Sequence, residues 1–184
     1  PFNQLTKVFL GHLHIDHVGD LGELWICGWL GARTKPLEVW GPSGDLPEYG
    51  TGAFIKNLKK TLAWDYRTRT GSVPETGGEM IAHEFDFSKP GVIYEENGVK
   101  IKSFPAIHIS DGAVSFRLEW NNRTIVYSSD TNPNKWFLEY ARDADIVIHE
   151  SFMTANTLVR RRGFEPHVAE MVATKYHTSP SQAG

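Results

Sequence analysis

The stretch GHLHIDHVGDLGELW, residues 11–25, places His12, His14, Asp16 and His17 within six positions. Imidazole nitrogens and carboxylate oxygens at this density form the donor set of a transition-metal site. His12 and His14 stand two apart on a chain leaving a strand, so both rings project from one face toward the same point. Asp16 and His17 come after the chain turns, and one loop can then present a second set of ligands beside the first. Zinc suits this donor set, and manganese or iron takes the same ligand types. The alternative is a solvated polar loop whose histidines cap the following helix. Four metal-capable residues in six positions, directly after a strand, weigh against it.

Residues 12–17 read His-x-His-x-Asp-His, and on this motif the chain resembles the metallo-β-lactamase-fold superfamily of hydrolases. The resemblance implies an α/β (α+β) fold, a four-layer αββα sandwich of two sheets flanked by helices, with a metal site at one edge. It also implies a third histidine from a loop after a middle strand, a place filled by His108 in SFPAIHISDG. A bridging aspartate should follow the next hairpin, where IVYSSDT ends in Asp130 and Thr131. Taken alone, His108 could be a surface histidine and Asp130 a turn residue or helix cap before Pro133.

The second half is similar to the ribonuclease Z branch, which carries a His-Glu-Ala-Thr segment and then a His-Ser-Thr segment. This chain has IHESF at 148–152 and YHTSPSQAG at 176–184. The resemblance implies that His177 protonates the leaving group and that Glu150 orients it. A carboxylate that holds an imidazole in one tautomer is a sound arrangement for general acid catalysis. Otherwise His149 and Glu150 simply end a buried strand, and His177 sits on a helix surface.

Departures from the branch are as informative. Ribonuclease Z inserts a long glycine-rich arm that grips transfer RNA between the strand after the third histidine and the strand leading to the bridging aspartate. Here FRLEWNNRTIVY crosses that point with a tight two-residue turn. The family's last histidine, a ligand of the second metal, is expected beyond residue 184. The di-iron oxygen reductases of the superfamily place Glu where His14 stands, which favours hydrolysis over redox chemistry.

The resemblance thus implies two zinc ions, one held by His12, His14 and His108, the other by Asp16, His17 and the histidine beyond the chain, with Asp130 bridging. A water that loses its proton between the metals is the expected nucleophile, and Asp16, His177 and Glu150 are assigned to catalysis. The expected reaction is metal-dependent hydrolysis of a small phosphodiester or related ester. A transfer-RNA 3′-processing endonuclease is the alternative, and a non-catalytic metal-binding protein of the same fold is a third reading.

The remaining sequence must position these residues. With 184 residues, 40% of them apolar, one core is expected, a single domain over 1–184 whose two ends look cut. Nineteen Lys and Arg against 22 Asp and Glu give a net charge of -3, which argues against a general attraction to nucleic acid and for a small-molecule ester as the partner. Cys27 is the single cysteine, so an internal disulfide and a cysteine-rich zinc site are excluded. No apolar run is long enough to cross a membrane. The compartment stays open, with a lean toward the cytoplasm, and a homodimer is admitted.

Strands are expected over LTKVFL, LEVWGPSG, EMIAHEFDF, VIYEENGVKIKSF, AVSFRLEWNNRTIVYSSD and ADIVIHES, with hairpin turns at Asn97-Gly98 and Asn121-Asn122. Helices are expected over 18–32, roughly 46–62, and near NKWFLEYARD and HVAEMVATKY. His83 and His167 read as structural, and Arg160, Arg161 and Arg162 as a solvated face. Trp25, Trp29, Trp40, Trp64 and Trp136 read as core or pocket wall.

Overall fold

The computed structural model describes residues 2–108 and 112–184. It divides into two compact units, Pro1–Asp86 and Phe87–Gly184.

The first unit is built on a parallel sheet in the order β1 (Lys7–Phe9), β2 (Leu37–Pro42), β3 (Met80–Phe85). Parallel neighbours need crossovers, which are supplied by helices α1 (Ile15–Val18) and α2 (Leu21–Leu30) and then by α3 (Thr51–Thr61) and α4 (Ala63–Arg69). Alternation along β2 sends Leu37 and Val39, both fully buried, into a core with Trp25, Trp29, Ile55 and Met80. The expected helix over 18–32 is broken between α1 and α2. Its glycines, which weaken helical propensity, have a packing reason at Gly28, where a β-carbon would collide with the Arg33 guanidinium. Arg33 is fully buried and donates from Nη2 to the carbonyl of Trp25 at 2.7 Å and to that of Gly77 at 3.2 Å. The helix expected from about residue 46 starts instead at Thr51, after a 3-10 turn over Pro47–Tyr49. Helix α4 has no counterpart in the sequence reading.

The second unit is a five-stranded sheet in the order β4 (Gly91–Glu96), β5 (Val99–Pro105), β6 (Val114–Trp120), β7 (Arg123–Tyr127), β8 (Ile146–Ile148). All pairs are antiparallel except β7 with β8. Both expected hairpins form. Asn97 and Gly98 have φ of 52° and 77°, and Asn121 and Asn122 have 50° and 58°, the left-handed pair that a two-residue turn of matching twist requires. Beyond β7 come α5 (Lys135–Tyr140), α6 (Ala155–Arg162), α7 (Pro166–Met171) and α8 (Pro180–Ala183), with a π-helical turn over Val172–Tyr176. Asn134 caps α5 by accepting the Phe137 N–H at 2.9 Å, and Phe137 packs with Phe104 and Val126 in the core. Helix α6, read from sequence only as a basic run, is capped by Thr154, ends at Gly163 with φ of 69°, and buries Leu158 against Ala169 and Ala173.

The chain is therefore mixed α/β with two sheets and helices, the expected fold class. Among the described residues no helix is long and apolar enough to cross a membrane.

Candidate metal centre

In the first unit, the Leu10 N–H donates to the Trp40 carbonyl at 2.8 Å, which carries the strand register past β1 to the edge of the motif. His12 is buried at 5% exposure. Its ring centroid lies 4.6 Å from that of His14 and 4.2 Å from that of His17. The return of His17 follows from α1. The His14 carbonyl accepts the N–H groups of His17 and Val18, at 2.9 and 3.2 Å, and this turn of helix folds His17 back beside His12. Asp16 sits on the outer side, 75% exposed, with Oδ2 at 3.5 Å from His17 Nε2. One loop thus presents His12, His14 and His17 together. A cleft of about 650 Å³ in this unit is lined by Asp16 and His17 with Leu10, Ile15, Asp20 and Glu23.

The second unit gathers the other residues. His108 follows β5, Asp130 follows β7, Glu150 follows β8, and His177 follows the π-helical turn. Ligand atoms of His108, Asp130 and His177 lie within 4.8 Å of one another. His108 Nδ1–H donates to the Tyr176 carbonyl at 2.8 Å, which fixes the tautomer and leaves Nε2 as the ligating nitrogen. That Nε2 is 3.8 Å from Asp130 Oδ2. His177 Nδ1–H donates to Glu150, at 3.2 Å to Oε1 and 3.1 Å to Oε2. The imidazole is also stacked on Phe152, with centroids 4.1 Å apart and planes at 13°. Glu150 is itself held, because Oε1 accepts the Thr131 N–H at 2.6 Å and its own N–H donates to Ser128 Oγ at 2.8 Å. Burial first, and then the charges of Asp130 and Glu150, hold the Tyr127 phenol above its ordinary value.

Two supporting residues escaped the sequence reading. Thr131, fully buried, accepts the Ile107 N–H at Oγ1 at 3.0 Å and so ties the loop before His108 to the residue after Asp130. Thr178, also fully buried, donates to the Thr131 carbonyl at 2.7 Å, and its own carbonyl accepts the Phe152 N–H at 2.8 Å. Their only signal was adjacency to Asp130 and His177.

Other candidates fall elsewhere. His149 turns its Nδ1 to the Glu150 carbonyl at 2.8 Å and its ring to Phe137. His83 pairs with Glu38 at 2.9 Å and stacks on Trp40, which makes it structural as expected. His167 and Arg160 to Arg162 are exposed. Trp25, Trp29 and Trp40 are buried, but Trp64 is 78% exposed, which corrects its reading as core or pocket wall. On α4, the apolar contact with the core is made by Tyr66, stacked on Trp25 and Trp29, and not by Trp64.

Two sheets with helices and a convergence of imidazole and carboxylate donors at loop ends are the features of metallo-β-lactamase-fold proteins. Residues 2–184 match the family described as beta-lactamase superfamily domain, and the chain belongs to that family, in its ribonuclease Z-like part. Similar proteins include a ribonuclease Z of Mycolicibacterium gilvum, 27% identical over 197 residues that cover 98% of this chain and 60% of that protein. Another is a ribonuclease Z of Mycolicibacterium paratuberculosis, 29% identical over 159 residues, covering 79% of this chain and 51% of that one. The chain thus spans between half and two thirds of the length of these relatives. In fold it is similar to the crystal structure of the short form of human tRNase Z, with a TM-score of 0.68 at 17% identity over 100% of this chain and 67% of that one.

Proposed function

We propose that this chain carries the metal-binding part of a zinc-dependent phosphodiesterase of the ribonuclease Z type, with an RNA phosphodiester as its substrate. The observation that carries the reading is the His177–Glu150 pair set beside His108 and Asp130. His12, His14, Asp16 and His17, with His108 and Asp130, are the proposed zinc ligands, as the family pattern has them. The donor chemistry fits the ion, since His108 already presents Nε2 by giving its Nδ1 proton to a carbonyl. When bound there, zinc would lower the pKa of a water and take up charge on the attacked phosphoryl group.

The chain's own residues do the rest. Glu150 keeps a proton on His177 Nδ1 and fixes the plane of the ring, with Phe152 stacked against its face. As water oxygen bonds to phosphorus and the ester bond breaks, His177 Nε2–H gives its proton to the departing oxygen. Thr131 and Thr178 hold the segments that bear Asp130 and His177 in fixed relation.

The names of the similar proteins support RNA over the small ester that the charge balance suggested. One observation keeps the small phosphodiester as the second reading, since β6 and β7 are joined by Asn121 and Asn122 alone, at the place where an RNA-gripping arm is expected. The test uses the intact protein with a precursor transfer RNA and with bis(p-nitrophenyl) phosphate. Cleavage of the RNA, with binding that weakens steeply with salt, supports the first reading. Turnover of the small diester with no RNA binding replaces it by the second.

A further inference from the structure

Ser129, the residue before Asp130, is unfavourable in two independent ways. Its φ is 53°, in the left-handed region that a β-carbon disfavours. The other non-glycine residues with positive φ, Ala32, Asn97, Asn121, Asn122 and Asp143, are all exposed, whereas Ser129 is 2% exposed. Its Oγ is also buried with no hydrogen-bond partner among the described residues. Both its neighbours are engaged. Ser128 Oγ donates to the Ser129 carbonyl at 2.6 Å and accepts the Glu150 N–H, and Asp130 Oδ2 lies 3.8 Å from His108 Nε2. Glycine at position 129 would relieve the backbone and remove the orphaned hydroxyl at once. Neither cost serves the fold, and the residue stands at the foot of the candidate site, where strain and an unsatisfied donor are the marks of a group kept for a ligand.

We propose that the Ser129 hydroxyl is a substrate-binding donor that gives its hydrogen bond to an anionic phosphoryl oxygen of the ester held beside Asp130. The inference rests on the phosphodiester reading given above. A hydroxyl kept from water suits an anionic acceptor, because a charge-assisted bond gains most where water does not compete. Glu150 is not that acceptor, being already engaged by Thr131 and His177.

The test compares Ser129→Gly and Ser129→Ala in the intact protein by three measurements: the Tm of the metal-free protein, its zinc affinity, and the affinity of the zinc-loaded protein for inorganic phosphate. Ser129→Gly should raise the metal-free Tm by about 2–4 °C, and Ser129→Ala by less, because alanine keeps the strained φ. Zinc affinity should be unchanged, and phosphate affinity should fall about tenfold or more in both variants. Unchanged phosphate affinity in both variants, with wild-type zinc binding, overturns the inference and leaves the phosphodiester reading standing. A wild-type protein that binds zinc and no phosphate removes the reading, and the inference goes with it.

Discussion

If His177 is the proton donor, its loss should be felt in proportion to how badly the leaving group needs a proton. A ribose oxygen is a poor leaving group, whereas p-nitrophenolate departs without protonation. His177→Ala should therefore slow RNA cleavage by about 10² to 10⁴-fold, the usual range for a positioned general acid, and slow bis(p-nitrophenyl) phosphate hydrolysis far less. Glu150→Gln tests the same assignment from the other side. Glu150 Oε1 serves Thr131 at 2.6 Å and His177 at 3.2 Å, while Oε2 serves His177 at 3.1 Å. An amide can keep the Thr131 bond but turns an NH₂ group toward the His177 Nδ1–H and removes the charge. A hydrogen bond to a charged group contributes about 1.5–3 kcal/mol, so Glu150→Gln should cost roughly 10- to 100-fold in RNA cleavage. In a double-mutant cycle, Glu150→Gln made in the His177→Ala background should add little, because its effect passes through the imidazole. The assay is single-turnover cleavage of the RNA beside steady-state hydrolysis of the nitrophenyl ester, both with saturating zinc. Equal losses of His177→Ala on the two substrates, or full additivity in the cycle, would refute the general-acid reasoning.

Three further outcomes are expected. His108→Ala should lower the bound zinc per chain and abolish hydrolysis of both substrates, and zinc content equal to wild type by elemental analysis would remove His108 from the ligand set. Arg33→Met should destabilise the protein by about 3 kcal/mol or more, since it strands buried carbonyls at Trp25, Leu24 and Gly77 that the guanidinium now satisfies; an unaltered urea midpoint would contradict this. The Arg117 side chain, hydrogen-bonded at 2.9 Å, holds the Glu119 carboxyl below its ordinary value. A folded-state value lowered in this way adds stability that is present above about pH 4.3, the unfolded carboxyl value, and is lost as pH falls through the folded value. Urea midpoints should thus drop on acidification less steeply in Glu119→Gln than in wild type, and parallel curves would show that the pair contributes nothing.

What was legible in the sequence was what covalent spacing decides. His12, His14 and His17 converge because two residues of extended chain and one helical turn leave their rings few other places to go. The hairpins were legible because Asn97-Gly98 and Asn121-Asn122 supply the left-handed conformations their turns need. Helix α6 was not, because its inward surface amounts to Leu158 against Ala169 and Ala173, too few apolar positions to mark a period in the sequence. Trp64 misled for the opposite reason, since its apolar type predicted burial while Tyr66, two residues on, takes the contact with Trp25 and Trp29. The support of the candidate site was the least legible part. Thr131 and Thr178 act through hydrogen bonds to backbone groups 24 and 47 residues distant in the chain, and no local pattern encodes a partner so remote. That difference bears on how the site could change. Ligand positions tied to a short motif can be lost only by substitution at those positions, whereas the Glu150–His177 pair depends on Thr131, Thr178 and Phe152 as well. Substitutions at these three buried or half-buried residues should therefore alter proton transfer while leaving zinc binding intact, which separates the catalytic half of the centre from its metal-holding half.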